Sequence, residues 1–212
     1  MAISHPRLLP LMRFEECTFL LDPGVATARH ARGRAGTSSQ VRDALWFAKF
    51  ETARLSVPDS ATWQAWVNTQ RGGLNLFLAW DVFRSEPLAY PAGVPEILAA
   101  TWDGEASVTS LATPGEITLG GVPAGYQATA GDRIGLVQSG RYGYFEISAS
   151  AVADGLGGLS VEVQPLVPEI FTTAAVAVLR RPLVALKLDW QSVSAPALND
   201  PGPVSFSAAQ VL

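Results

Sequence analysis

Asp132 and Glu146, within GDRIGLVQSGRYGYFEIS (131–148), are the residue types that glycoside hydrolysis needs. One carboxyl would protonate the leaving oxygen while a carboxylate attacks or activates water. Two further acidic pairs could do the same work, Glu15 with Glu16 and Asp103 with Glu105. Neighbours on a strand point to opposite faces, which separates Glu15 from Glu16. Asp103 precedes a glycine in WDGEAS, a turn signal that explains an exposed acid, and Asp132 follows Gly131 where a turn opens a strand. Nucleophilic catalysis finds equally little: the two histidines are His5, beside a proline, and His30, among arginines and glycines. Cys17 alternates with Phe19 in FEECTFLL, the pattern of a small buried hydrophobe. One cysteine cannot close an internal disulfide, and with two histidines it does not complete a common zinc set. No catalytic, cofactor or metal residue is assigned, and the expectation is a protein that is not an enzyme.

The glycines of 131–148, and those at 155, 157 and 158 in ADGLGGLS, raise a second chemistry, a phosphate cradle. Such cradles need a strand, a glycine turn and then a helix N-terminus. Here a strand-like LSVEVQP follows instead, so ADGLGGLS reads as a hairpin connection and SGR (139–141) as another. Trp102, Tyr126, Tyr142 and Tyr144 are the aromatic residues available to stack on a glycan. Arg29, Arg32 and Arg34 in TARHARGRAG form the one local basic concentration. A formal charge of −4 gives no general pull on a polyanion, so this stretch reads as a surface loop for an assembly contact in preference to nucleic acid.

The elements that must position these residues are mostly strands. Apolar residues make up 48% and charged ones 16%, which excludes a disordered chain. Glycine and proline punctuate short runs of period two. LNLFLAWD places Leu74, Leu76, Leu78 and Trp80 on one face; LVALKLDW places Val184, Leu186, Leu188 and Trp190; LSVEVQP turns Leu159, Val161 and Val163 inward. One helix of about three turns is expected in PDSATWQAWVNTQRGG, capped by Asp59 or Ser60 and packing Trp63, Trp66 and Val67. Between 81 and 101 prolines interrupt any periodicity, and the short strands beyond suggest a closed barrel of about five strands. The expected organisation is a mainly β chain: a discontinuous domain with one helix from 1–90 and 173–212, and a small closed barrel inserted at 91–172. The N-terminal MAISHPRLLPLMRFEEC has no unbroken apolar stretch, and no run approaches the roughly 18 apolar residues of a membrane span, so synthesis and folding in a cytosol without membrane insertion are expected.

The order GVPAGY, GD before a strand, Gly-Arg before an aromatic strand, ADGLG, and an alternating strand ending in VQPLV resembles distal tail proteins of long-tailed bacteriophages and phage-like gene transfer agents. The likeness continues through AAVAVLRRPLVALKL and SFSAAQVL, and includes RGGLNLFLAWD. It implies a structural virion protein at the tail tip: a six-fold ring of sandwich-like domains, each with one helix and an inserted antiparallel OB-like β-barrel, joining the tail tube to a baseplate or hub. The implied partners are further copies of the chain, the tail tube protein, the hub and the tape measure protein. The resemblance carries over no catalytic residue or cofactor. Two alternatives stay open: another minor protein of the same tip, or a carbohydrate-binding module of a host-recognition device.

Overall fold

A computed structural model describes residues 5–28, 37–92, 102–194 and 202–212. The protein is mainly β, with 43% strand and one α-helix among the described residues. In chain order the strands begin with β1 (Arg7–Leu8), β2 (Phe14–Asp22), β3 (Val25–Ala28), β4 (Thr37–Gln40) and β5 (Leu45–Thr52). Helix α1 (Val57–Thr69) and β6 (Leu76–Ala79) follow. Next come β7 (Glu105–Ser110), β8 (Glu116–Gly120), β9 (Gln127–Ala128), β10 (Arg133–Gln138), β11 (Arg141–Ile147), β12 (Ala151–Val152) and β13 (Leu159–Gln164). The chain closes with β14 (Val176–Val178), β15 (Val184–Asp189) and β16 (Ser205–Gln210).

Six strands form one sheet in the order β1-β6-β15-β16-β5-β2, antiparallel except for the β1–β6 pair. Its inner face holds Phe50, Phe77, Val184, Leu186 and Phe206, each at most 1% accessible, and α1 covers part of it with Trp63, Trp66 and Val67. Burial of each such side chain contributes about 1.5–3 kcal/mol. The tryptophans stack on each other at 5.1 Å, and Trp63 lies 4.8 Å from the Phe206 ring. The helix begins earlier than expected. Its cap is Ser56, whose hydroxyl accepts from the Asp59 amide and donates to the Asp59 carboxylate. Pro58 fits the first turn because an amide there has no helical partner.

The second body is a closed barrel, β10-β11-β13-β8-β7-β14. It has six strands, one more than anticipated, because β14 completes it. AAVAVLRRPLVALKLDW, read as continuing one domain from 173, divides between the two bodies: β14 closes the barrel and β15 enters the sheet. The break falls at Arg180-Arg181-Pro182, where Arg181 takes a φ of 50° and proline removes a ladder amide. Leu159, Val161 and Val163 point inward, and so do Val184, Leu186 and Leu188. Trp190 does not: it is 47% exposed in a short 3-10 turn. The expected face of LNLFLAWD is also corrected. Leu74 is 78% exposed and lies before β6, while Phe77 and Ala79 are fully buried because Phe77 packs edge-on against Trp66. ADGLGGLS does not fold β12 back on β13 as a hairpin. β12 pairs with β9, and the Asp154 carboxylate closes the loop by accepting from Leu156 and Gly158 amides.

Candidate assembly surface

The SGR turn is a two-residue connection at Ser139 and Gly140, both with positive φ (50° and 78°), and it sets Gln138 opposite Arg141. That combination matches the twist of antiparallel strands. The register places Arg133 directly across from Glu146 and Gly135 across from Tyr144. Ile134 and Leu136 face the barrel core, while Arg133 and Tyr144 face away from it, towards the sheet. The Tyr144 ring belongs to the sheet core, 5.4 Å from Phe19 and 5.6 Å from Trp46. The Trp46 indole nitrogen donates to the Tyr144 carbonyl at 2.8 Å. The Arg133 guanidinium lies 4.4 Å above the Trp46 ring, its side chain 3% accessible, and ion-pairs with Glu146. Arg84 approaches the same Glu146 at 3.7 Å and Asp81 at 3.9 Å. This junction fixes the barrel against the sheet. A second tie joins the two crossing segments, with Arg180 donating to Glu86 at 2.7 and 3.2 Å and the Arg181 amide donating to the Ser85 carbonyl.

The acids singled out in the sequence are therefore spread over different tasks. Glu146 serves the junction, while buried Asp132 accepts from the Leu88 and Thr129 amides. Asp103 accepts from the Glu105 amide in its turn, and Glu15 is exposed on β2. Burial pushes the Asp81 and Asp132 carboxyls up, partly opposed by the amides they accept from. Cys17 is buried beside Phe19, and burial pushes its thiol up to about 12. Among the described residues no group of three or more His, Cys, Asp or Glu could hold a metal ion. No helix among them is long and apolar enough to cross a membrane.

The four aromatics proposed as a stacking platform do not form one. Tyr144 is fully buried under the sheet, and Tyr126 is 1% accessible in the barrel core. Burial also pushes both phenols up. Trp102 is half-buried, edge-on to Tyr126 at 5.1 Å with its indole nitrogen donating to the Glu105 carbonyl. Tyr142 is half-buried on β11. Alternation in YGYFEIS does identify an inward and an outward face, but it cannot show that the outward face lies under a second sheet.

The surface that stays open lies elsewhere. Among the described residues β3 and β4 pair only with each other, and every one of their residues is exposed. They continue the β2–β5 hairpin beyond a joint at Gly24, whose φ is +65° and whose carbonyl accepts from the Val41 and Arg42 amides. A β-carbon there would sit 2.3 Å from the Arg42 carbonyl oxygen, so the joint requires glycine. The Asp22 carboxylate accepts from the Gly24 amide and ion-pairs with Arg42, bracing both sides. An isolated two-stranded ribbon is marginal in water, and this one has no third strand among the described residues. Arg29, Arg32 and Arg34 lie outside the described residues, in the segment joining β3 to β4.

The outer face of the sheet is also open. Across it run Leu20, Phe47, Ala209 and Lys187 in register, with Leu20 68% and Phe47 40% exposed. Farther along, Lys49 pairs with Glu16 at 2.7 Å. An apolar strip beside charged residues is the composition of an interface core with a polar rim. No family model matches the chain, and no curated protein matches it.

Proposed function

We propose that this chain is a structural component of a bacteriophage-type tail tip, similar to a distal tail protein. Its copies close into a six-fold ring that joins the tail tube to the hub or baseplate, and its place is the virion. The single observation carrying this reading is the β3–β4 arm, exposed along its whole described length and paired with no other strand among the described residues. A cyclic ring needs two different surfaces on each copy, one to give and one to receive, and an arm rooted at one end of an open sheet can supply the first. The motif order of 121–167 and the sheet-plus-barrel architecture support the same assignment.

Electron microscopy of the full chain, alone and mixed with tail tube protein, tests it. Closed rings of six copies are expected. Particles that stay monomeric in both conditions, at concentrations well above the micromolar range, would contradict it.

A further inference from the structure

A groove of about 820 Å³ runs between the arm end of the sheet and the barrel loop 164–169. Its walls include Leu21, Pro23, Leu166 and Pro168, and its acids are Asp43 and Glu169. Among the described residues no Lys, Arg or His lines it. Neither acid is in an ion pair among the described residues, and the nearby Arg42 is already held by Asp22. Leu166 is 56% exposed, so the apolar wall stands open to solvent.

We infer that this groove receives the arginine-bearing segment 29–36 of a second copy of the chain. The inference rests on the ring reading above and names the surface that receives the arm. Segment 29–36, RHARGRAG, carries three arginines and a histidine and no acid, so its charge complements the groove. Arginine suits such a site because its methylene stem lies along apolar walls while the guanidinium reaches a carboxylate, and a fork-shaped pair adds direction to charge. A neighbour is the fitting source because Val25 and Gln40, the root of the same chain's arm, themselves line the groove. From that root the ribbon runs through the pairs Val25–Gln40 to Ala28–Thr37, roughly 10 Å of extended strand, before the segment begins. A chain's own segment would have to double back along its own arm to return. Each copy thus gives an arm and offers a groove, the head-to-tail arrangement that closes by rotation.

Two charge-reversed full-length variants test this, one with Arg29, Arg32 and Arg34 changed to Glu, the other with Asp43→Lys and Glu169→Lys. Circular dichroism checks that each folds, and sedimentation velocity measures association at low salt. Each variant alone should associate at least about tenfold more weakly than the unmodified chain, as like charges then meet. Mixed in equal amounts they should recover association, because every reversed segment finds a reversed groove and every native segment a native one. If the unmodified chain assembles and the variants assemble equally well, the inference is overturned while the ring reading stands. Impairment of each variant without recovery in the mixture also overturns it, and would point to a segment that folds onto its own chain or onto another protein. An unmodified chain that never assembles, with or without tube protein, overturns both.

Discussion

The β10–β11 hairpin and the β3–β4 ribbon are both short antiparallel pairs next to glycine and arginine, yet they sit in opposite surroundings. In the first, residues 133–136 and 143–145 are buried, and Tyr144 leaves its own barrel to complete the core of the other body. In the second, no residue is buried. Backbone pairing alone does not distinguish them; the difference is whether a second layer covers the ribbon. The first hairpin is stabilised by what it packs against within the chain, while the second leaves its described residues exposed, a pair that is marginal on its own.

The largest expected effect that would break this contrast comes from Tyr144→Ala. Removing a fully buried ring between Phe19 and Trp46 should lower the unfolding free energy in urea by about 3–5 kcal/mol. A loss under 1 kcal/mol would mean that the barrel is not anchored through this side chain. Arg133→Ala comes next. It removes a desolvated cation over Trp46 and leaves Glu146 with only the more distant Arg84, for an expected loss of about 2 kcal/mol.

Acid dependence gives a smaller effect with a definite sign. Burial raises the Asp81 carboxyl above its ordinary 3.8, so the folded state holds that proton more tightly than the unfolded state does. Its contribution is fully present below 3.8 and is lost as pH rises from there through the raised folded value. Asp81→Asn should therefore flatten the decline in stability over that interval, measured by urea midpoints at successive pH values. An unchanged slope would show that other groups set it. The smallest expected effect is on the arm: Thr27→Ala, which removes one exposed hydroxyl contact to Ser38, should change monomer stability by less than about 0.5 kcal/mol. A larger loss would mean that the arm packs within its own chain and that the two hairpins are alike.

Much of this architecture was legible in the sequence wherever one face of a strand meets water. LSVEVQ alternates cleanly because β13 has an inner and an outer side, and the same holds for Val184, Leu186 and Leu188. Reading failed where both faces are buried or where the strand is short. In β6 neither face is purely polar, and the large residues nearby drew the expected stripe onto Leu74, which never enters the strand. β14 has only three residues, too few for a period to show. The Arg133–Trp46–Tyr144 junction joins residues far apart in the chain, and nothing local signals that an arginine opening a strand will be covered by a tryptophan from another body. The arm was partly legible: low apolar content between Val25 and Val41 marked a surface segment, although the strands at its root were not foreseen.

Hydrogen exchange of the arm in dilute and in assembled protein tests the central claim most directly. The amides of Val25–Ala28 and Thr37–Gln40 should exchange quickly in the monomer and become strongly protected on assembly, while those of Arg133–Gln138 stay protected in both. Arm amides that exchange equally fast in monomer and assembly, or are already fully protected in the monomer, would contradict an arm that is completed by another chain.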